Sequence, residues 1–316
     1  MLRLKALFSV FILVLLVIQP VLSQSPLSTD IFLADMKFEN GEPIFSNVEN
    51  ITNRDGYDNE PFFSIDGKLI LYTSIREDKQ ADTYSYDMEN KTISCVNLTP
   101  DVSEYFPREY RGSTGYAVLR EESDGTRHVV GMRYDDSKTV GYNKPDITNV
   151  GSFIYVKGDI HAFYILPNTE TDKQSILQIL NYRVQELDTI AENVGNCLYT
   201  SKMSGMGEFY FIHKMSENNW LIKKCIFKSH PDPMRIMSYS YEPETVVPTL
   251  PGKEYFCALT GGVLIAGSGS KLYAFNPQTD TEWREIADLS ADGIKEITRL
   301  AVNHPDDNTI AIVSIK

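Results

Sequence analysis

A segment that occurs twice constrains this chain more than anything else in it. The first copy reads Asp30-Ile31-Phe32-Leu33-Ala34-Asp35-Met36, followed by Asn50-Ile51-Thr52. The second reads Asp82-Thr83-Tyr84-Ser85-Tyr86-Asp87-Met88, followed by Asn97-Leu98-Thr99. Asp30 and Asp82, Asp35 and Asp87, and Met36 and Met88 all stand 52 positions apart. A unit that recurs at such a spacing buries its apolar face by stacking on copies of itself.

A repeat of roughly 40 to 50 residues made of short strands is the signature of a β-propeller blade. Turn residues recur once per repeat: Asp66-Gly67, Gly112-Ser113-Thr114-Gly115, Gly158-Asp159, Gly205-Met206-Gly207, Gly261-Gly262 and Asp306-Asp307-Asn308. Gly, Asn and Asp tolerate the positive φ that tight hairpins demand. A second hairpin follows most of these turns, beginning at Asp82, His128, Ser175, Trp220 or Lys271. Two hairpins make a four-stranded antiparallel blade.

The ends complete the count. Ile297–Ile315 reads as an inner hairpin with no outer pair after it, and Ile31–Ile51 as an outer pair with nothing before it. Joined, they make one blade from both termini and remove the free edges of an open array. The expected fold is all-β: a six-bladed β-propeller of four-stranded antiparallel blades, a single domain over residues 24–316. One segment resists. Leu177, Leu180, Val184, Leu187, Ala191 and Val194 recur at helical spacing. Read alone, Ser175–Val194 is an amphipathic helix. The repeat register makes it an outer hairpin, and strands are the expectation.

Residues 1–23 have the layout of a secretory signal peptide: Arg3 and Lys5, an apolar run from Ala6 to Ile18, then Pro20 and Val21-Leu22-Ser23 before Gln24. The run is short for a membrane span. The expectation is an exported protein, periplasmic or extracellular, with no stable membrane insertion once the signal is cleaved; an uncleaved anchor is the alternative. The formal net charge of −13 argues against nucleic acid, whose phosphates need clustered Lys and Arg. The four cysteines fit no zinc or redox spacing. Cys197 and Cys257 fall at similar places in successive repeats, so a bridge is open to them, although buried free thiols are expected.

Asp58-Asn59-Glu60-Pro61-Phe62-Phe63-Ser64-Ile65-Asp66-Gly67-Lys68-Leu69-Ile70-Leu71-Tyr72-Thr73-Ser74, continued by Asp82–Asp87, resembles the repeat of TolB-like, WD-related β-propellers. The resemblance is specific in this one blade, degenerate in Leu300–Ser314 and weak between. It implies an exported bacterial protein that binds or scaffolds, and it carries over no catalytic site.

Within the repeat, Pro61 sets an extended entry to the innermost strand, Phe62 and Phe63 pack between blades, and Ser64 and Asp66 hold the turn. The loops expected at one rim carry Asp58 and Glu60, then Arg76, in one blade, and Arg108 and Arg120 in the next. Opposite charges around a funnel suit a polar ligand or peptide, and equally suit structural ion pairs across blades. These five are the candidate ligand residues. The 18 tyrosines offer aromatic contacts for sugars or peptides, most of them expected in packing.

Enzyme motifs are absent. The five histidines form no HExxH, there is no GxSxG elbow, and Gly267-Ser268-Gly269-Ser270-Lys271 reads as a strand-connecting turn. No metal or cofactor is expected. The sequence points to a non-catalytic propeller that recognises a protein, peptide or glycan at its funnel face. The alternative is a metal-assisted hydrolase, lactonase or lyase at the axis. Asn50, Asn90 and Asn97 open glycosylation-like triplets, and for the repeat-related Asn50 and Asn97 a turn-holding role is expected.

Overall fold

The computed structural model describes residues 27–77, 79–109, 115–134, 139–140, 147–167, 174–200, 208–230, 238–304 and 306–316. The expected signal peptide at 1–23 and the turns at Gly112–Thr114 and Gly205–Gly207 lie outside these residues.

Strands come in runs of four. An initial pair, β1 (Thr29–Glu39) and β2 (Glu42–Asn50), precedes them. Then come β3 (Tyr57–Phe63), β4 (Leu69–Ile75), β5 (Ala81–Asp87) and β6 (Thr92–Cys95). The next run is β7 (Ser103–Glu109), β8 (Gly115–Glu121), β9 (Arg127–Arg133) and β10 (Thr139–Val140). It is followed by β11 (Val150–Lys157), β12 (Ile160–Ile165), β13 (Ile176–Asn181) and β14 (Glu186–Glu192). After these come β15 (Val194–Tyr199), β16 (Glu208–Ser216), β17 (Asn219–His230) and β18 (Ser238–Pro248). The last full run is β19 (Phe256–Ala258), β20 (Leu264–Ser268), β21 (Lys271–Phe275) and β22 (Arg284–Asp288), before the closing pair β23 (Glu296–Val302) and β24 (Thr309–Ile315).

The four runs from β7–β10 to β19–β22 are separate four-stranded antiparallel sheets. The two terminal pairs join. β1 lies antiparallel to β24 from Thr29–Ile315 to Asp35–Thr309, giving the order β23-β24-β1-β2. A single parallel pairing, Thr29 with Tyr57, links this group to β3–β6. Among the described residues the only helical element is a 3₁₀ turn at Ser290–Asp292, and no helix is long and apolar enough to cross a membrane.

The repeat has a physical basis in these pairings. β1 and β5 are the third strands of their groups, and an asparagine at or just past the end of each outer strand ties it back. Asn50 Nδ2 donates to Asp30, while Asn50 Oδ1 accepts from the Thr52 and Asn53 amides. Asn97 Oδ1 accepts from the Thr83 amide at 3.1 Å. The β3–β4 turn is held as its composition suggests. Ser64 Oγ donates to Asp66 Oδ1 and accepts from the Leu69 amide, with Gly67 at φ +70° beside the Asn303 side chain. Gly269 (φ +59°) lies in the turn between β20 and β21, as expected of that segment.

The helical spacing of Ser175–Val194 resolves into the hairpin β13–β14, paired from Ile176–Glu192 to Asn181–Glu186 with Gln185 at φ +57°. Leu177, Ile179 and Leu180 are all fully buried, because β13 is covered on both faces. Val184 and Leu187 are exposed, in the turn and on the outer strand. A two-sided strand followed by an edge strand imitates a helical stripe.

Six apolar clusters hold the described residues together, each shared by neighbouring groups of strands. Phe32, Met36 and Ile312 pack on Cys257, Ile265 and Leu272. Ile31 and Val313 pack on Ile70 and Tyr72. Leu71 meets Tyr116 and Val130, and Leu119 meets Phe153 and Leu180. Leu177 meets Phe209 and Phe211, and Ile212 meets Phe256 and Leu264. Each such side chain contributes roughly 1.5–3 kcal/mol on burial.

All four cysteines are free thiols: Cys95 exposed, Cys197, Cys225 and Cys257 buried. Burial pushes the Cys197 and Cys225 thiols up to about 12. An aromatic disulfide reagent at pH 8 is expected to titrate one thiol rapidly in the folded protein and the other three only after denaturation. Fewer than four thiols under denaturing, non-reducing conditions would mean a bridge and contradict this packing.

Candidate functional site

The first strands of the groups lie side by side: β3 beside β7, then β11, β15, β19 and β23, with β23 beside β3 again. Together they wall a cavity of about 110 Å³.

Local sequence sets what faces it. β3 and β7 carry the same irregularity. Their register with the next strand jumps from Asn59 to Phe62 and from Tyr105 to Arg108, and each bulge holds a positive-φ residue before a proline. Glu60 (φ +61°) precedes Pro61, and Phe106 (φ +51°) precedes Pro107. Proline offers no N–H to the ladder, which suits a bulge. Phe62 and Arg108 therefore occupy matching positions, and both line the cavity.

Arg108 lies with its guanidinium carbon 5.1 Å from the Phe62 ring centre and 5.6 Å from that of Phe106. Its Nη1 donates to the neighbouring Pro107 carbonyl at 2.9 Å. Burial, then the charge of Arg299, lowers its pKa to about 10, which leaves it cationic at neutral pH. Arg299, on β23, stacks 4.0 Å from the Tyr255 ring centre and 4.9 Å from that of Phe106. Its Nε–H is buried without an acceptor. Burial pulls its pKa down, but Tyr255, Glu60 and Tyr57 outweigh that and raise it. Among the described residues neither arginine forms an ion pair. Cation–aromatic contacts of this kind are worth about 0.5–2 kcal/mol each.

Glu60 lies behind this pair, 3% exposed. Its Oε2 accepts from Thr73 Oγ1 at 2.7 Å and from the Phe106 amide at 2.8 Å, and its Oε1 from the Tyr57 hydroxyl at 3.3 Å. One carboxylate thus ties β3, β4 and β7.

Hydrogen bonds between first strands and their turns complete the wall. Ser152 Oγ donates to the Asn196 carbonyl, and the Asn196 amide donates to Glu254. His304 is pinned by Asp307 at 2.7 Å on Nδ1 and by the Tyr199 hydroxyl at 3.2 Å on Nε2.

Of the five residues singled out by sequence, Arg108 alone is in the cavity wall. Asp58 and Glu60 are strand rather than loop residues, because the bulge hides the alternation of β3 back to Tyr57. Arg120 likewise lies within β8, opposite Glu104. Asp58 is fully buried and pairs with Arg54 at 2.9 Å. Arg120 donates to Glu104 Oε1 from Nη2 at 2.6 Å and from Nε at 3.1 Å. Asp58 and Glu104 occupy matching register positions, and burial raises both carboxyls despite their arginines. The Arg120–Glu104 pair forms within one group of strands, and Arg54 reaches Asp58 from the segment that leads into β3. Arg76 stacks 3.9 Å over Tyr84 and donates to Ser74 Oγ.

Sequence reading missed Arg299, Tyr255 and Phe106. The available signal was Arg299 itself, a lone cation in the otherwise uncharged run Ile297–Val302. Among the described residues no group of three or more His, Cys, Asp or Glu side chains is placed to hold a metal ion.

No protein-family model matches the chain, and no curated protein matches it in sequence. Solved structures do. TolB from Acinetobacter baumannii superposes with a TM-score of 0.54 at 9% identity, over 91% of this chain and 64% of that one. The chain therefore spans just under two thirds of that protein's length. XC5397 from Xanthomonas campestris, a gluconolactonase, gives 0.58 at 9% identity, over 90% and 95% of the two chains. A chain of a nidogen/laminin complex gives 0.54 at 7%, over 90% and 98%. At such identities the likeness is one of fold. The chain has a TolB-like β-propeller fold built of four-stranded antiparallel sheets.

Proposed function

We propose that the chain is a six-bladed propeller, one domain over residues 24–316 closed by its N-terminal outer and C-terminal inner strands, and that it binds a ligand at the axis without catalysis. The ligand is a protein, peptide or glycan group that enters the cavity walled by the first strands. On this reading residues 1–23 direct export to the periplasm or the extracellular space. Arg108 and Arg299 touch the ligand, and Asp58, Glu60, Arg76 and Arg120 hold the strands that present them.

The observation that carries this reading is a cavity faced by aromatic rings and two guanidiniums that meet no carboxylate in the wall. Binding pockets combine apolar walls with a few placed polar groups in this way. For hydrolase, lactonase or lyase chemistry, carboxylate and His groups would have to converge free at the axis. Here His304 is committed to Asp307 and Tyr199, and the cations disfavour a metal ion beside them.

Labelled protein on a mixed peptide and glycan array tests the assignment. Thr200→Trp, which places an indole in the wall after β15, is expected to abolish every specific signal. Ile44→Ser, on the outer strand β2, is expected to keep them all. Signals that survive Thr200→Trp, or vanish with Ile44→Ser, would move the site elsewhere.

A further inference from the structure

The geometry points to a carboxylate as the group this cavity recognises: we propose that Arg108 and Arg299, which both lie against the Phe106 ring, together clamp one organic carboxylate. The inference deepens the ligand-site reading above and rests on it.

Two observations meet here. Both guanidinium carbons lie within 6 Å of the Phe106 ring centre, at 5.6 and 4.9 Å, so the two like charges share one ring and stand no more than about 10.5 Å apart. Among the described residues no carboxylate forms an ion pair with either. Glu60 acts on both through space, but its oxygens are committed to Thr73, Phe106 and Tyr57. Glu109 also lines the wall, and its Oε2 accepts the Ile65 amide at 2.6 Å. The second observation is the buried Arg299 Nε–H, a donor left without an acceptor. A buried donor without a partner is left with its desolvation uncompensated, and like charges add to that. Such an arrangement destabilises the empty protein and is relieved when a ligand brings the missing negative charge.

The donors choose the anion. Guanidinium is a planar fork that matches the two oxygens of a carboxylate, and it stacks on rings as it does here. The space chooses the size. A cavity of about 110 Å³ admits several water-sized groups. That is room for a carboxylate and a short carbon stem, with the rings of Phe62, Phe106 and Tyr255 as apolar walls. A small free acid fits, as does an acidic side chain or a C-terminus whose remainder stays outside.

Calorimetry and melting curves at constant ionic strength test the clamp. The probes are succinate, acetyl-Ala-Ala-Glu-amide and acetyl-Ala-Ala-Ala with a free C-terminus. Succinamide and acetyl-Ala-Ala-Gln-amide are the neutral controls. At least one carboxylate probe is expected to bind saturably and raise the melting temperature, while its amide does neither. Which probe binds identifies a free acid, a side chain or a chain end as the source.

Arg108→Met and Arg299→Met are each expected to weaken that binding at least tenfold. Both keep the stacked aliphatic stem, and the unliganded variants are expected to melt no lower than the parent. Arg108→Lys should recover part of the affinity. The proposal is overturned if no carboxylate probe binds, if amides bind equally well, or if both Met variants keep the parent affinity. It is also overturned if those variants melt far below the parent, which would make the arginines structural. Array ligands that are lost in Thr200→Trp but kept in both Met variants would leave the ligand site standing and remove only the clamp.

Discussion

A chain lacking residues 1–50 is expected not to fold at all. That truncation removes β1 and β2, and β1 has two tasks. It supplies the partner of β24 along seven residue pairs, so its loss exposes the edge of a strand buried from Thr309 to Ser314. It also feeds two apolar clusters at once. Phe32, Ala34 and Met36 pack toward β19–β22, while Ile31 and Leu33 pack toward β3–β5. At about 1.5–3 kcal/mol for each large side chain, four of them represent roughly the whole 5–15 kcal/mol stability of an ordinary domain. The truncated chain should show no cooperative thermal transition and should aggregate through the open edge. Adding residues 27–50 as a peptide should restore a transition. A native-like melt without those residues would show that joining the termini is dispensable.

Glu60→Ala is the point change with the largest expected cost, about 3 kcal/mol. Alanine leaves the Phe106 amide and the Thr73 hydroxyl without their acceptor in a buried place. A charged acceptor of this kind is worth more than a neutral one. The change also removes the one carboxylate whose charge reaches both Arg108 and Arg299. Glu60→Gly separates backbone from side chain. It loses the same bonds but suits φ +61° better than alanine, so it should be less destabilised than Glu60→Ala by up to about 1 kcal/mol. Urea denaturation at equal slope measures both. A loss below 0.5 kcal/mol in Glu60→Ala, roughly the noise of an ordinary surface change, would mean that Glu60 is not a strut.

The fold was legible in this sequence where local chemistry and the repeat agree. The Asp-Gly turn after Ser64, the orphan pairs at both ends and the asparagines after β2 and β5–β6 each have one physical reading, and the strands follow it. Ser175–Val194 needed the repeat to decide, because a strand buried on both faces loses its period of two. The site was far less legible. Asp58 and Glu60 looked like rim charges because a bulge before a proline breaks alternation and makes a strand resemble a loop, and Arg120 because it stands one residue from the end of β8. Arg108 was visible as a charge, but its partner stands near the other end of the chain. The contacts of β3 with β23 on one side and β7 on the other bring Arg299 to the ring of Phe106. No spacing within the sequence encodes that meeting.

The most direct test of the central claim is a crystal structure of the protein grown in succinate, or in whichever probe calorimetry selects. The account predicts carboxylate density between the Arg108 and Arg299 guanidiniums, within hydrogen-bond distance of both, with Glu60 still on Thr73 and the Phe106 amide. Arginines turned onto Glu60 or Glu109, with the cavity closed and the acid bound elsewhere or not at all, would contradict it.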